Sequence, residues 1–301
     1  MPYHVAALLP QAIESLDIKS EGIYVDATFG GGGHSRAILE KLGGKGRLYA
    51  FDQDMDAFTN VPDDPRLTFI HGNFRFLINF LRFHGVEKID GLLADLGVSS
   101  HHFDTPQRGF SFREEAPLDM RMNLNAALTA DKILNDYSID QLTNIFGKYG
   151  EVKKAFKLAE AIVKYREKEP FKSNGQLIEI ANRFIDSKKE KKELAQIFQA
   201  LRIEVNCELL ALENLLTDSA KIIRHGGRLA IISYHSLEDR LIKNYFKTGN
   251  FDGIQHTGIF GKEPVPFKPL TSKPIVPDEQ EILTNPRSRS AKLRVAVRTD
   301  Y

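Results

Sequence analysis

Asp26, Asp52 and Asp95 each close a short apolar run, over residues 23–26, 46–52 and 89–95. A carboxylate at such a point can accept hydrogen bonds from hydroxyls, pair with a cation or hold a reacting amine. One strand-end aspartate is most often a turn residue or a helix cap, but three on successive strands of one sheet edge read as a site. Around the first acid the chain runs Ile-Tyr-Val-Asp-Ala-Thr-Phe-Gly-Gly-Gly-Gly-His-Ser from Ile23 to Ser35, followed by leucines and an isoleucine at helical spacing up to Leu42. A buried strand, a glycine loop and a helix in that order let a ligand lie against bare amides at the helix N-terminus. A third strand over 67–74 brings Asn73 and Phe74 to the same edge, an amide and a ring suited to a purine. A fifth strand over 227–233 exits into Tyr-His-Ser-Leu-Glu-Asp-Arg, which places His235 on that edge, with Ser236 and Asp239 reading as the cap of the next helix.

The nature of the ligand follows from what the loop lacks and what surrounds it. The dinucleotide fingerprint started at Gly30 requires a third glycine where Ser35 stands, so the match is partial. Asp26, just before the loop, would repel a pyrophosphate and suit an ammonium or sulfonium group. Asp52, about 20 residues beyond the loop, is placed for ribose hydroxyls. S-adenosylmethionine carries all three features and is favoured over a nicotinamide cofactor. The rivals are a nicotinamide oxidoreductase and an RNA-binding assembly factor with a vestigial pocket, and the intact series of acids argues against the second. For the chemistry, Asp95 with the backbone carbonyl of Leu96 and a contribution from His235 is the best-placed set to position a methyl acceptor in line with the donor, and the residues alone do not name that acceptor.

The elements that must position these residues are those of an α/β protein. The chain has 301 residues, 42% of them apolar, and a formal net charge of +1, so any nucleic-acid surface must be a local patch. One cysteine leaves no disulfide framework and no thiolate zinc site, so no metal is expected; no run reaches membrane-spanning length, and the expectation is a soluble cytoplasmic protein. A first helix is expected over 4–16, with His4 at the surface. The distance from Asp95 to the fifth strand exceeds one crossover helix, which implies an insertion. Residues 109–194 are read as that helical insertion, between core segments 1–108 and 195–301, with capping boxes at Ser138 and Ser173 and an apolar stripe of Val152, Phe156, Ala159 and Val163. Between Lys148 and Lys192 it carries 13 Lys and Arg against 7 Asp and Glu, a local excess of six that suits RNA phosphates. Cys207, among leucines in a long helical stretch, reads as core, which disfavours ring-carbon methylation through a thiolate. Residues 262–277 read as an irregular connection, and residues 286–298 as a last strand flanked by five basic residues and no acid.

Seven blocks then acquire a joint meaning: Thr28 to Ser35, Asp95-Leu-Gly-Val-Ser-Ser100, Arg108-Gly-Phe-Ser-Phe112, Pro117-Leu-Asp-Met-Arg-Met122, Phe198-Gln-Ala-Leu-Arg-Ile203, Tyr234 to Arg240, and Asn285-Pro-Arg-Ser-Arg-Ser290. In this order and over nearly the whole chain they resemble the MraW (RsmH) family of bacterial small-subunit ribosomal RNA methyltransferases. The resemblance implies a class I, Rossmann-like S-adenosylmethionine-dependent fold with an inserted all-helical recognition domain. It implies cofactor contacts at Gly32, Gly33, His34, Asp52, Phe74 and Asp95. It further implies methylation of the exocyclic amine of a cytidine in the decoding region of 16S ribosomal RNA, within the small ribosomal subunit; a homodimer is carried as an open assembly. One departure is visible: His101 and His102 stand where the family usually has Pro-Gln, and a His102 ring nitrogen could replace the glutamine at the cofactor.

Overall fold

The computed structural model describes residues 6–258 and 261–300, which fall into two compact units. One runs to Gly97 and resumes at Leu209; the other spans Val98–Glu208.

The first unit is built on parallel strands β1 (Ile23–Asp26), β2 (Arg47–Asp52), β3 (Leu67–His71), β4 (Ile89–Asp95) and β5 (Ile223–Ser233), completed by β6 (Phe267–Pro269) and β7 (Lys292–Arg298). Their order is β3-β2-β1-β4-β5-β7-β6, with β7 antiparallel to both its neighbours. The central strands β1, β2 and β4 are buried on both faces, which is why they read as continuous apolar runs without alternation. Helices α1 (Leu9–Ser15) and α2 (Gly33–Lys41) cover one face, where Leu8, Ile38, Leu48, Leu93 and Ile232 pack together. On the other face α3 (Leu77–Phe83) packs around Val25, Phe51 and Leu92. The first helix is shorter than expected; Leu8 at φ 52° and Pro10 in the first turn fix its start, and His4 and Val5 lie outside the described residues. The stretch after residue 262 is less irregular than its prolines suggest, because β6 adds to the sheet edge, where Pro269 costs no central hydrogen bond.

Strand order sets β1 between β2 and β4, so the three acids stand on adjacent strands. They are not level. Asp26 pairs with Ala50 and Leu93, two residues short of Asp52 and Asp95. At about 3.3 Å per residue it lies roughly 6.6 Å deeper in the sheet than its neighbours' acids.

The second unit is helical: α4 (Ser100–Asp104), α5 (Ala130–Asp136), α6 (Ile139–Lys148), α7 (Ala155–Arg166), α8 (Asn174–Ala181) and α9 (Glu190–Asn206). The capping boxes at Ser138 and Ser173 are present, each closed by a glutamine at the third position. The stripe on α7 is displaced from the expected one: Ala155, Leu158, Ala159 and Ile162 are buried, whereas Phe156 is 53% exposed. The unit exceeds residues 109–194 at both ends, because Val98 on one side and Phe198, Leu201 and Val205 of α9 on the other pack in the same apolar core as Phe110, Phe146 and Leu158. Cys207 is exposed, not core. It sits at φ 51° between α9 and α10 (Glu208–Ile222), where the break at Asn206 turns the chain and the side chain leaves the apolar face.

Candidate functional site

The glycine loop is held from within. Gly32 adopts φ 75° as the residue preceding α2, and a Cβ there would stand 2.8 Å from the Phe29 ring, so only glycine fits. No side chain caps the first turn of α2, which leaves the amides at Gly33 and His34 as an anion-binding start of a helix.

Asp26 is fully buried. Its Oδ2 accepts a 2.7 Å hydrogen bond from Ser35 Oγ and its Oδ1 one from the Thr28 amide at 3.1 Å. This corrects the expectation that Asp26 meets a cationic ligand: two residues short of the sheet edge, it is a brace between strand and loop. Ser35, which spoils the dinucleotide fingerprint, is the donor that a buried carboxylate requires. Burial pushes the Asp26 carboxyl up to about 6, against the pull of these two donors.

Asp52 is half-buried at the end of β2. Oδ2 accepts from the Gly30 amide at 2.7 Å and Oδ1 from the Asp54 amide at 2.8 Å, so the carboxylate both fixes the loop and keeps one lone pair per oxygen. Burial raises it to about 6, although both amides lower it. Asn73 is committed elsewhere: its Oδ1 caps the turn at Arg75 and its Nδ2 donates to Gln53, so a role at a purine ring loses its basis. Phe74 follows it, half-buried against the core under β2 and β4.

Asp95 ends β4 at the centre of the edge, its side chain 21% exposed. Its amide donates to Thr28 Oγ1 at 2.6 Å and its Oδ1 accepts from the Tyr234 hydroxyl at 2.8 Å. Its Oδ2 faces His34 Nδ1 at 3.9 Å. His34 Nε2 lies 3.2 Å from the Ala7 carbonyl and therefore carries the ring hydrogen, and burial keeps the ring below the usual imidazole range despite the nearby acid. In the neutral ring Nδ1 is then a lone pair. Two acceptors face each other across 3.9 Å, an arrangement that a multiply donating cation would satisfy. Burial lifts Asp95 to about 6; His34 and Tyr234 pull it back, and Asp26 and Glu238 push it further up.

His235 caps α11 (Ser236–Thr248). Nδ1 accepts from the Glu238 amide at 3.4 Å, while Nε2 stands 3.2 Å from Glu238 Oε1. Ser236 is exposed, so the capping box expected at Ser236 and Asp239 lies one residue earlier, at His235 and Glu238. Asp239 instead binds Arg294 at 2.6 Å and Lys292 at 3.4 Å. Both ring nitrogens of His235 are thus turned to the helix start, and Tyr234 takes the place beside Asp95.

Gly32, Gly33, His34, Asp52, Phe74, Asp95 and His235 all belong to the carboxyl-end edge of the first unit's sheet. His102 belongs to the second unit, where it is buried, closes a capping box with Ser99 and packs its ring 4.7 Å from Phe110.

The sequence profile of the MraW methylase family matches residues 1–299. The chain belongs to that family. Ribosomal RNA small subunit methyltransferase H of Parabacteroides distasonis is 55% identical over 295 residues, covering 98% of this chain and 97% of its own. Its counterpart in Bacteroides thetaiotaomicron is 54% identical over 296 residues, with the same coverage. The protein of that name from Flavobacterium johnsoniae is 51% identical over 296 residues and is covered to 98%, as is this chain. In this MraW methylase, sequence reasoning overlooked Thr28, Ser35 and Tyr234 as parts of the site. Tyr234 had a legible signal, since it directly follows β5 beside the end of β4; Thr28 and Ser35 became partners only through the fold of the loop.

Proposed function

We propose that this MraW methylase transfers a methyl group from S-adenosylmethionine to the exocyclic amine of a cytidine in the decoding region of 16S ribosomal RNA, acting in the cytoplasm on the small ribosomal subunit. The observation that carries the reading is the Asp95 constellation: a half-buried carboxylate held by the Tyr234 hydroxyl, on a backbone whose amide donates to Thr28 Oγ1, with the other carboxylate oxygen opposed to the His34 lone pair. That pair fits the ammonium of the donor's methionine moiety, the uncapped start of α2 fits its carboxylate, and the remaining lone pairs of Asp52 fit the ribose hydroxyls. The small-subunit ribosomal RNA named in the relatives supports the substrate class.

S-adenosylmethionine supplies an electrophilic methyl on a sulfonium. The cytosine amine, a weak nucleophile because its lone pair is delocalised into the ring, would accept that methyl, with the carbon–sulfur electron pair leaving on sulfur. An Asp95 oxygen or the Leu96 carbonyl accepting an amine hydrogen holds the nitrogen in line and offsets its growing positive charge. After transfer the extra amine proton goes to Asp95 and from there to water. Cys207 has no part in this route. We expect Cys207→Ser to retain wild-type turnover, in contrast to a ring-carbon mechanism, which a missing thiolate would stop. The deciding experiment is transfer of labelled methyl to 16S ribosomal RNA in small subunits, with the modified nucleoside identified by mass spectrometry. Label on a ring carbon or on ribose would overturn the reading.

A further inference from the structure

Helix α11 leaves the carboxyl-end edge of the sheet directly after Tyr234, whose hydroxyl holds Asp95, and packs on β5, β6 and β7. Its two faces differ. Leu237, Ile242, Tyr245 and Phe246 are buried, whereas Ser236, Arg240, Lys243 and Lys247 are exposed. With 3.6 residues per turn these four positions fall within about 60° of arc, one narrow row along the helix.

The charges are sorted as well. Both acids of α11 are turned away from that row. Glu238 is 3% exposed, and its Oε2 accepts from the Tyr234 amide at 2.9 Å. Asp239 is bound to Arg294 at 2.6 Å and to Lys292 at 3.4 Å. Every exposed charge of the helix is therefore positive, and Lys292 joins them from β7, its side chain 41% exposed beside Asp239. Among the described residues Arg240, Lys243 and Lys247 form no ion pair.

A solvated helix face ordinarily mixes both signs, because Glu and Lys three or four residues apart attract each other. Here Arg240 and Lys243, and Lys243 and Lys247, repel at those same spacings. The helix dipole accounts for one of the three: Lys247 suits the negative carboxyl end, whereas Arg240 stands in the first half, where a cation gains nothing from it. A row of like charges that weakens its own helix points to a polyanionic partner. From Arg240 to Lys247 it covers about 10.5 Å, the length of about three phosphates at the ~3.4 Å rise per nucleotide of a stacked strand.

We propose that Arg240, Lys243 and Lys247, with Lys292 at their side, form a track for the RNA phosphate backbone that leads away from the target nucleotide. The proposal rests on the RNA substrate inferred above and adds a contact within the sheet unit, distinct from the basic helices of the second unit. Phosphate contacts of this kind position a strand without reading its bases, so affinity and salt dependence carry their signature.

The test is the triple variant Arg240→Gln/Lys243→Gln/Lys247→Gln, in which glutamine keeps the helix propensity and removes the charge. A second variant, Arg240→Lys/Lys243→Arg/Lys247→Arg, keeps the charge. Naked 16S ribosomal RNA and small subunits are the probes, in binding titrations over a salt series and in methyl transfer. For the glutamine variant we expect the RNA Kd and KM to rise about tenfold and the slope of log K against log salt to fall by about 2, as for three lost contacts on a single strand. Its kcat, melting temperature and S-adenosylmethionine affinity should stay at wild-type values, and the charge-keeping variant should bind RNA as the wild type does. Wild-type RNA affinity and slope in the glutamine variant would overturn the track. A lowered melting temperature or weakened donor binding would reveal a structural role and overturn it as well. A KM raised on subunits with naked RNA binding unchanged would assign the row to a ribosomal protein and overturn it too. Failure of the wild type to methylate the RNA would strike instead at the functional reading, and the binding titrations would still decide the track.

Discussion

Ser35 and Asp26 form a pair in which a hydroxyl satisfies a carboxylate that has no access to water. Removing the donor leaves the acid short of a partner, which costs about 1–3 kcal/mol, and more when the group is charged. Ser35→Ala should therefore destabilise the protein by about 2 kcal/mol at pH 8 and by less at pH 5, where Asp26, raised to about 6, is protonated. Denaturant unfolding at the two pH values measures the difference; an equal loss at both would mean that Asp26 is neutral throughout. Asp95 offers the matching test of chemistry. Asp95→Asn keeps an acceptor for the Tyr234 hydroxyl but gives up the negative charge, so kcat at saturating donor should fall by about 10²–10⁴. A raised donor KM with turnover intact would restrict Asp95 to donor binding.

At the scale of elements, α7 illustrates how packing and charge are divided on one helix. Its buried side is set by Ala155, Leu158, Ala159 and Ile162, so Lys157 and Phe156 are left outside, next to the exposed Lys153 and Lys154. Lysines with an exposed ring among them suit a nucleic acid, through phosphate contacts and base stacking. Reversing Lys153, Lys154 and Lys157 to Glu should weaken RNA binding and flatten its salt dependence while donor affinity is unchanged, as read by parallel titrations. Retention of the wild-type salt slope would reduce this surface to a solvated helix face.

For the whole molecule, three carboxyls on neighbouring strands share a burial that raises each to about 6. The folded protein then holds their protons more tightly than the unfolded chain. The stability that protonation brings is fully present below about pH 4 and is lost as pH rises through 6. The ligand-free protein should melt higher at pH 5 than at pH 8, and Asp26→Asn should flatten that dependence. A cationic donor reverses the sense for the two accessible acids, since it favours their charged form. S-adenosylmethionine affinity should accordingly rise from pH 5 to pH 7, with proton release detectable by calorimetry in buffers of different ionisation enthalpy. Affinity independent of pH would mean that Asp52 and Asp95 are already charged in the free protein.

The amino-acid sequence by itself determined the strand–glycine–helix motif, the acids at the ends of β1, β2 and β4, the helical insertion and its capping boxes, because each is written in local spacing and residue type. Tertiary structure alone decided the depth of those acids. Register makes Asp26 a buried brace and leaves Asp52 and Asp95 near the surface of the edge, and register depends on pairing between strands far apart in the chain. It likewise decided that Tyr234 holds Asp95 while His235 caps a helix, that Cys207 faces solvent at a left-handed turn, and that α9 joins the helical core. Each outcome turns on which neighbour first supplies a hydrogen bond or an apolar surface, and those neighbours are fixed only when the chain has closed on itself.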